Sequence, residues 1–179
     1  YPDVYVGRLA CRYKFEVKVM VDKIINYENS NVGLKNWFKN LILVAGDSYN
    51  DTAHYNEGEL ISEEAIRLMP GYEPIRIYAR AGQDITGRRV NMEMKNGAGF
   101  AYFCGHGSPG SWSTHFPPDG KIWTDGYDVD DMIFLRNKEK LPITVVGGCH
   151  NGQFDVTILN KFNKNAAYLT WMPRCWGWW

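Results

Sequence analysis

Phe100-Ala101-Tyr102-Phe103-Cys104-Gly105-His106-Gly107-Ser108 reads as a buried strand that ends on a histidine held between two glycines. A ring so placed projects from the strand end into a cleft, and the glycines let backbone or substrate come close and permit positive φ. A second run has the same grammar. Ile143-Thr144-Val145-Val146-Gly147-Gly148-Cys149-His150-Asn151-Gly152 is a strand that ends in two glycines and then presents a thiol. Working outward, Val4 to Leu9, Leu41 to Ala45, Ile75 to Ala79 and Ala166 to Thr170 read as further short strands. Helical patterns alternate with them: Phe15 to Glu28, a segment opening at Ser62, Asp84 to Lys95, Asp128 to Leu135 and Asp155 to Phe162. Alternation at this spacing requires crossover connections, so the expected fold is α/β, with a mostly parallel sheet between helices. In such folds chemistry gathers at the carboxyl ends of the strands.

Taken alone, a Gly-His-Gly is more often a tight turn, and one cysteine after a strand is more often a small core residue. Together they say more, because adjacent parallel strands bring their carboxyl ends, and so imidazole and thiol, to one cleft. Thiolate is the reactive form of cysteine, and an imidazolium or a helix N-terminus favours it; Asp155 to Phe162 is the candidate helix. Backbone amides at Gly107 and Cys149 then form a candidate oxyanion hole. Acyl transfer is the reaction class this implies.

The remaining composition narrows the classes. Twenty basic residues balance twenty acidic ones among 179, which speaks against a nucleic-acid partner or a polybasic membrane anchor. No apolar run reaches the roughly 18 residues of a membrane span. The four cysteines show neither a disulfide framework nor CxxC metal spacing. One domain over residues 1–179 is expected. The Tyr1-Pro2-Asp3 start and the tryptophan-rich end suggest a piece excised from a longer protein and truncated at its C-terminus.

Gly105-His106-Gly107-Ser108 through Trp112 and Thr114-His115-Phe116, with Gly148-Cys149-His150-Asn151-Gly152 and Phe154, resembles the histidine and nucleophile motifs of gingipain-type cysteine peptidases. Tyr1 to Leu9, Val44 to Asp47 and Gly58-Glu59 support the resemblance, which runs over the whole chain. It implies a caspase-like three-layer α/β/α sandwich and a cysteine endopeptidase acting through a thioester. In this reading Cys149 is the nucleophile and His106 the general base and acid. An acid near the end of the preceding strand orients the histidine in the family, which points to Asp47, with Glu57 as second choice. A tryptophan lines the S1 pocket, which points to Trp176, with Trp178 as alternative. Gly58-Glu59 is followed by Leu60 and Ile61 where basic-specific members carry an aspartate, so a basic P1 preference is not implied. No metal or organic cofactor is required. The family binds structural calcium, for which Asp125, Asp128, Asp130 and Asp131 are candidates, although they lack EF-hand spacing and helix capping explains them as well.

The resemblance further implies a protein or peptide substrate, more domains in the parent chain and a secreted or cell-surface location. His150 beside the nucleophile is expected to point elsewhere, His115 to stabilise its loop, His54 to lie in an exposed turn and Cys104 to pack in the core. Two alternatives stand beside the endopeptidase: a non-catalytic binding or assembly domain of a surface protein, and a transpeptidase of the same chemistry.

Overall fold

The computed structural model describes residues 3–4, 7–52, 55–166 and 170–179. It divides into two compact units, residues 1–32 and 33–179. The first unit holds helix α1 (Lys14–Asn29). Its N-terminus is closed by Glu16, whose carboxylate accepts from the amides of Arg12 and Tyr13 at 2.6 and 2.7 Å. The strand expected from Val4 to Leu9 lies partly outside the described residues, and residues 7–9 are irregular.

The second unit is built on a parallel sheet. Strands β1 (Asn40–Ala45), β2 (Glu73–Tyr78), β3 (Phe100–Cys104) and β7 (Ile143–Gly147) stand in the order β2-β1-β3-β7. Each step is parallel, with Leu41 opposite Phe100 and Phe100 opposite Ile143. All four match expected strands, and the pairing puts Cys104 beside Gly147, so both glycine-rich ends emerge at one edge of the sheet. Helices α2 (Glu57–Leu68) and α3 (Gly87–Asn96) supply the crossovers.

Alternation along β1 makes the three layers. Ile42 and Val44 pack with Val90 and Met94 of α3 in one core cluster, together with Phe103, Trp112, Tyr127 and Trp176. Leu41, Leu43 and Ala45 face the other way, toward Ala65 and Ile66 of α2 and Met69 just past its end. This is the α/β arrangement that the strand–helix alternation implied, and it agrees with the caspase-like sandwich that the resemblance implied.

Three features differ from expectation. Helix α2 begins five residues before Ser62, because the Ser62 hydroxyl, fully buried, donates back to the Gly58 carbonyl at 2.8 Å instead of capping. A small antiparallel sheet stands outside the expected strands: β4 (His106–Gly107) pairs with β5 (Ser111–Ser113), and β6 (Tyr127–Asp128) adds to β5. Asp128 to Leu135 forms only the short helix α4 (Val129–Met132), and Asp155 to Phe162 only a 3-10 turn at Ile158–Phe162. Ala166 to Thr170 lies largely outside the described residues. Among the described residues, no helix is long and apolar enough to cross a membrane.

Candidate active site

His106 leaves β3 through Gly105, whose amide donates to the Gly147 carbonyl at 3.1 Å, tying the histidine end to the end of β7. Its ring is fixed by a backbone acceptor: Nε2 lies 2.6 Å from the Ser48 carbonyl. A carbonyl only accepts, so Nε2 carries the hydrogen and Nδ1 keeps its lone pair for a proton in transit. Around the imidazole stand the rings of Trp123 and His115, each 5.4 Å away between centroids, and Tyr49 at 6.5 Å.

The two motifs touch. A Cβ placed on Gly107 would fall 2.7 Å from the Cys149 carbonyl, and one on Gly148 would fall 3.2 Å from the Gly107 Cα. Space, not positive φ, is what demands glycine here, since neither residue sits in the left-handed region. That correction follows from how closely the two strand ends approach. The ladder between β4 and β5 pairs Gly107 with Trp112, while Ser108 donates to Ser111 at 2.9 Å. Hydrogen-bonded positions alternate in an antiparallel pair, so the Gly107 amide points out of the ladder.

Cys149 itself is exposed and free of any disulfide. Residues 149–157 run as turns, so no helix N-terminus follows the thiol as the sequence had suggested. Directly after it His150 takes φ +61°, a left-handed conformation uncommon for a residue with a side chain. His150 is exposed, its Nδ1 3.0 Å from Gln153 Oε1.

The acids sit one step behind the imidazole. Asp47 is 1% exposed, and its backbone exchanges hydrogen bonds with His115 at 3.1 and 2.9 Å. Its carboxyl pKa is raised by burial and by a hydrogen bond to Glu57. Burial would also raise Glu57, but amides at Glu57 and Ser48 and the Asp47 carboxyl pull it down. Glu57 accepts from the Ser48 amide at 3.1 Å, and the Tyr49 amide, in the peptide whose carbonyl holds His106, acts on both carboxyls. His115 is 8% exposed and packs on Trp123 at 3.8 Å; burial, then repulsion from His106, lowers its pKa. Cys104 packs in the core, its pKa raised by burial.

A cleft of about 350 Å³ opens beside the ring, lined by His106, Gly107, Ser108, Trp123, Asp125 and Asp128, among others. Trp176 is elsewhere: it is 6% exposed, centred 5.2 Å from Phe103, and its indole donates to the Tyr127 carbonyl at 2.9 Å. The tryptophan that faces the cleft is Trp123, whose place between two glycines and a proline pair gave no motif signal. His54 lies outside the described residues. Among the described residues no three His, Cys, Asp or Glu side chains gather as a metal site. Asp131 accepts from the Asp128 amide at 3.0 Å and Asp84 from the Asp125 amide at 3.2 Å, which are capping and loop contacts.

The model of peptidase family C25 matches residues 1–173. The chain belongs to peptidase family C25. Within it, gingipain R2 of Porphyromonas gingivalis strain W83 is 25% identical over 156 residues, covering 86% of this chain and 20% of the relative. Lys-gingipain of Porphyromonas gingivalis is 25% identical over 179 residues, covering 94% of this chain and 9% of the relative. The crystal structure of gingipain R, an Arg-specific cysteine proteinase, superposes with a TM-score of 0.71 at 21% identity over 98% of this chain and 35% of that one. The C25 chain thus spans a fifth or less of these two curated relatives.

Proposed function

We propose that this C25 chain is the catalytic core of a cysteine endopeptidase in which Cys149 attacks the scissile carbonyl and His106 carries the proton. The observation that carries the reading is the contact between the two strand ends, with the imidazole held through Nε2 so that Nδ1 is the nitrogen left for chemistry. In the first step Cys149 gives its thiol proton to Nδ1 of His106, the sulfur bonds to the carbonyl carbon and the carbonyl π electrons move to oxygen. The outward-pointing Gly107 amide and the Cys149 amide receive that oxyanion. Collapse expels the amine, which takes its proton from His106; water, deprotonated by the same ring, then hydrolyses the thioester and regenerates the thiol.

Asp47 and Glu57 support the ring indirectly, by acting on the Tyr49 amide of the Ser48–Tyr49 peptide. The cleft beside the imidazole carries Asp125, Asp128 and the face of Trp123, a lining that suits a positively charged substrate residue next to the scissile bond. These acids come from the segment after the histidine motif, not from the Gly58-Glu59 step. A protein substrate, further domains and a location outside the cell complete the reading, on the strength of the gingipain relationship.

Two measurements on the intact protein test it. Cys149→Ala should abolish peptide cleavage without changing the thermal melt, and iodoacetamide at pH 6 should alkylate Cys149 far faster than Cys11. Equal alkylation rates, or full turnover by the alanine variant, would sink the proposal and favour a binding module instead.

A further inference from the structure

Asn151, two residues past the thiol, belongs to the nucleophile motif but takes no part in the chemistry above. It is 1% exposed. The left-handed turn at His150 sends the imidazole of that residue outward and the Asn151 side chain inward. There Nδ2 donates to the Ser108 carbonyl at 2.8 Å and to the Ser111 carbonyl at 2.9 Å. Those carbonyls bracket the tight turn that begins immediately after His106-Gly107. The orientation of the amide is fixed by chemistry: reversing it would aim an oxygen at two carbonyl oxygens.

The other end of the amide faces the glycines. A Cβ on Gly107 would come within 2.2 Å of Oδ1, and one on Gly148 within 2.1 Å. Oδ1 is buried and finds no donor among the described residues. The backbone of Asn151 adds a third tie, its carbonyl accepting from Gly177 at 2.8 Å, while Pro109 in the histidine turn accepts from Trp176 at 2.7 Å. One residue therefore bonds to the histidine turn, belongs to the nucleophile turn and anchors the C-terminal segment that braces both. An aliphatic side chain of the same volume would fill the space but bond to neither carbonyl.

We infer that Asn151 is a positioning residue: its carboxamide is the strut that sets the separation between the imidazole-bearing strand end and the thiol-bearing turn. The inference rests on the Cys149–His106 reading and assigns the spacing of that pair to a single side chain. Asn151 touches neither substrate nor reacting atoms. It acts through the two segments it spans, and its removal should change how the thiol responds to the imidazole more than how substrate binds.

The test compares the intact protein with Asn151→Ala, measuring kcat and KM on a peptide and the rate of Cys149 alkylation by iodoacetamide at pH 6 and pH 9. With the strut gone, kcat should fall by about 100-fold with KM within about threefold, as expected for a misplacement on the order of 1 Å. Alkylation at pH 6 should fall at least about tenfold relative to pH 9, where thiolate forms without help from the imidazole. A residue that merely stabilised the fold would lower the melting temperature and leave that ratio unchanged. Should the alanine variant not fold, Asn151→Asp preserves the volume, loses both donors and must show the same fall in the ratio. A folded variant with parental kcat and parental ratio overturns the inference alone. If Cys149 in the parent reacts no faster than Cys11 at pH 6, the dyad reading fails and takes this inference with it.

Discussion

Gly107→Ala is the substitution whose outcome the geometry constrains most tightly. The added Cβ would lie 2.2 Å from Asn151 Oδ1 and 2.7 Å from both Asn151 Cγ and the Cys149 carbonyl oxygen. An ordinary carbon–oxygen contact is about 3.3 Å, so something must move by roughly 1 Å. The Asn151 amide cannot swing aside cheaply, since two hydrogen bonds at 2.8 and 2.9 Å hold it. The other obstacle is backbone. The strand end therefore shifts and takes His106 with it. A displacement of that size costs about 100-fold in turnover, equivalent to about 2.7 kcal/mol of barrier. Overpacking should also remove about 1–3 kcal/mol of stability. Steady-state cleavage of a fluorogenic peptide, with a thermal melt of each variant, measures both. Gly152→Ala is the control, because its Cβ would meet only Phe154 Cε2 at 3.8 Å. Parental kcat in Gly107→Ala, or an equal loss in Gly152→Ala, would refute the reasoning.

Three other outcomes follow from the same contacts. Phe103 is fully buried with ring centroids 5.3, 5.9 and 5.2 Å from Trp112, Tyr127 and Trp176, so Phe103→Ala should cost about 3–5 kcal/mol in urea denaturation; a loss below about 1.5 kcal/mol would contradict its central place. Replacing His150 should discriminate by backbone: Gly is tolerated at φ +61°, whereas Val should cost about 1–3 kcal/mol, and equal stabilities would exclude strain there. Asp128 is exposed by area, yet its carboxyl is pushed up to about 6 by burial and by Asp131, Asp130 and Asp125, and the like charges alone suffice for the sign. A raised folded pKa means a contribution to stability that is present below the ordinary carboxylate range and lost as pH rises through about 6. Asp128→Asn keeps a good N-cap and should gain stability over the parent as pH rises from 4 to 7; a pH-independent difference in melting temperature would rule this out.

Much of the fold was legible because four strands of the second unit are short, apolar and bounded by glycine, aspartate or proline, and because helix-length segments separate the first three. The small sheet escaped notice because strands of two or three residues carry no measurable period, and Ser111-Trp112-Ser113 resembles loop as much as strand. The 3-10 turn at Ile158–Phe162 lies in a segment expected as a longer helix, but Ile158, Leu159 and Phe162 remain exposed, so no packed face extends it. At the site, His106 and Cys149 could be proposed from strand–glycine grammar, whereas Trp123 and Asn151 owe their surroundings to chain segments distant in sequence. Trp176 illustrates the converse, since its indole packs among Phe103 and Tyr127 and no local pattern distinguishes such a ring from one that faces solvent.

The Ser48 carbonyl carries a consequence for how this C25 chain can be dissected by mutation. An oxygen of the main chain is supplied by whatever amino acid occupies position 48, so selection can change that side chain freely while the orientation of the imidazole persists. Alanine scanning across the loop would register nothing at the very atom that fixes the tautomer. Only an edit of the peptide bond itself, such as replacement of the next residue by a hydroxy acid so that an ester carbonyl of weaker basicity results, reaches that atom. The partner of the histidine is thus written in the path of the chain after β1 and not in its letters.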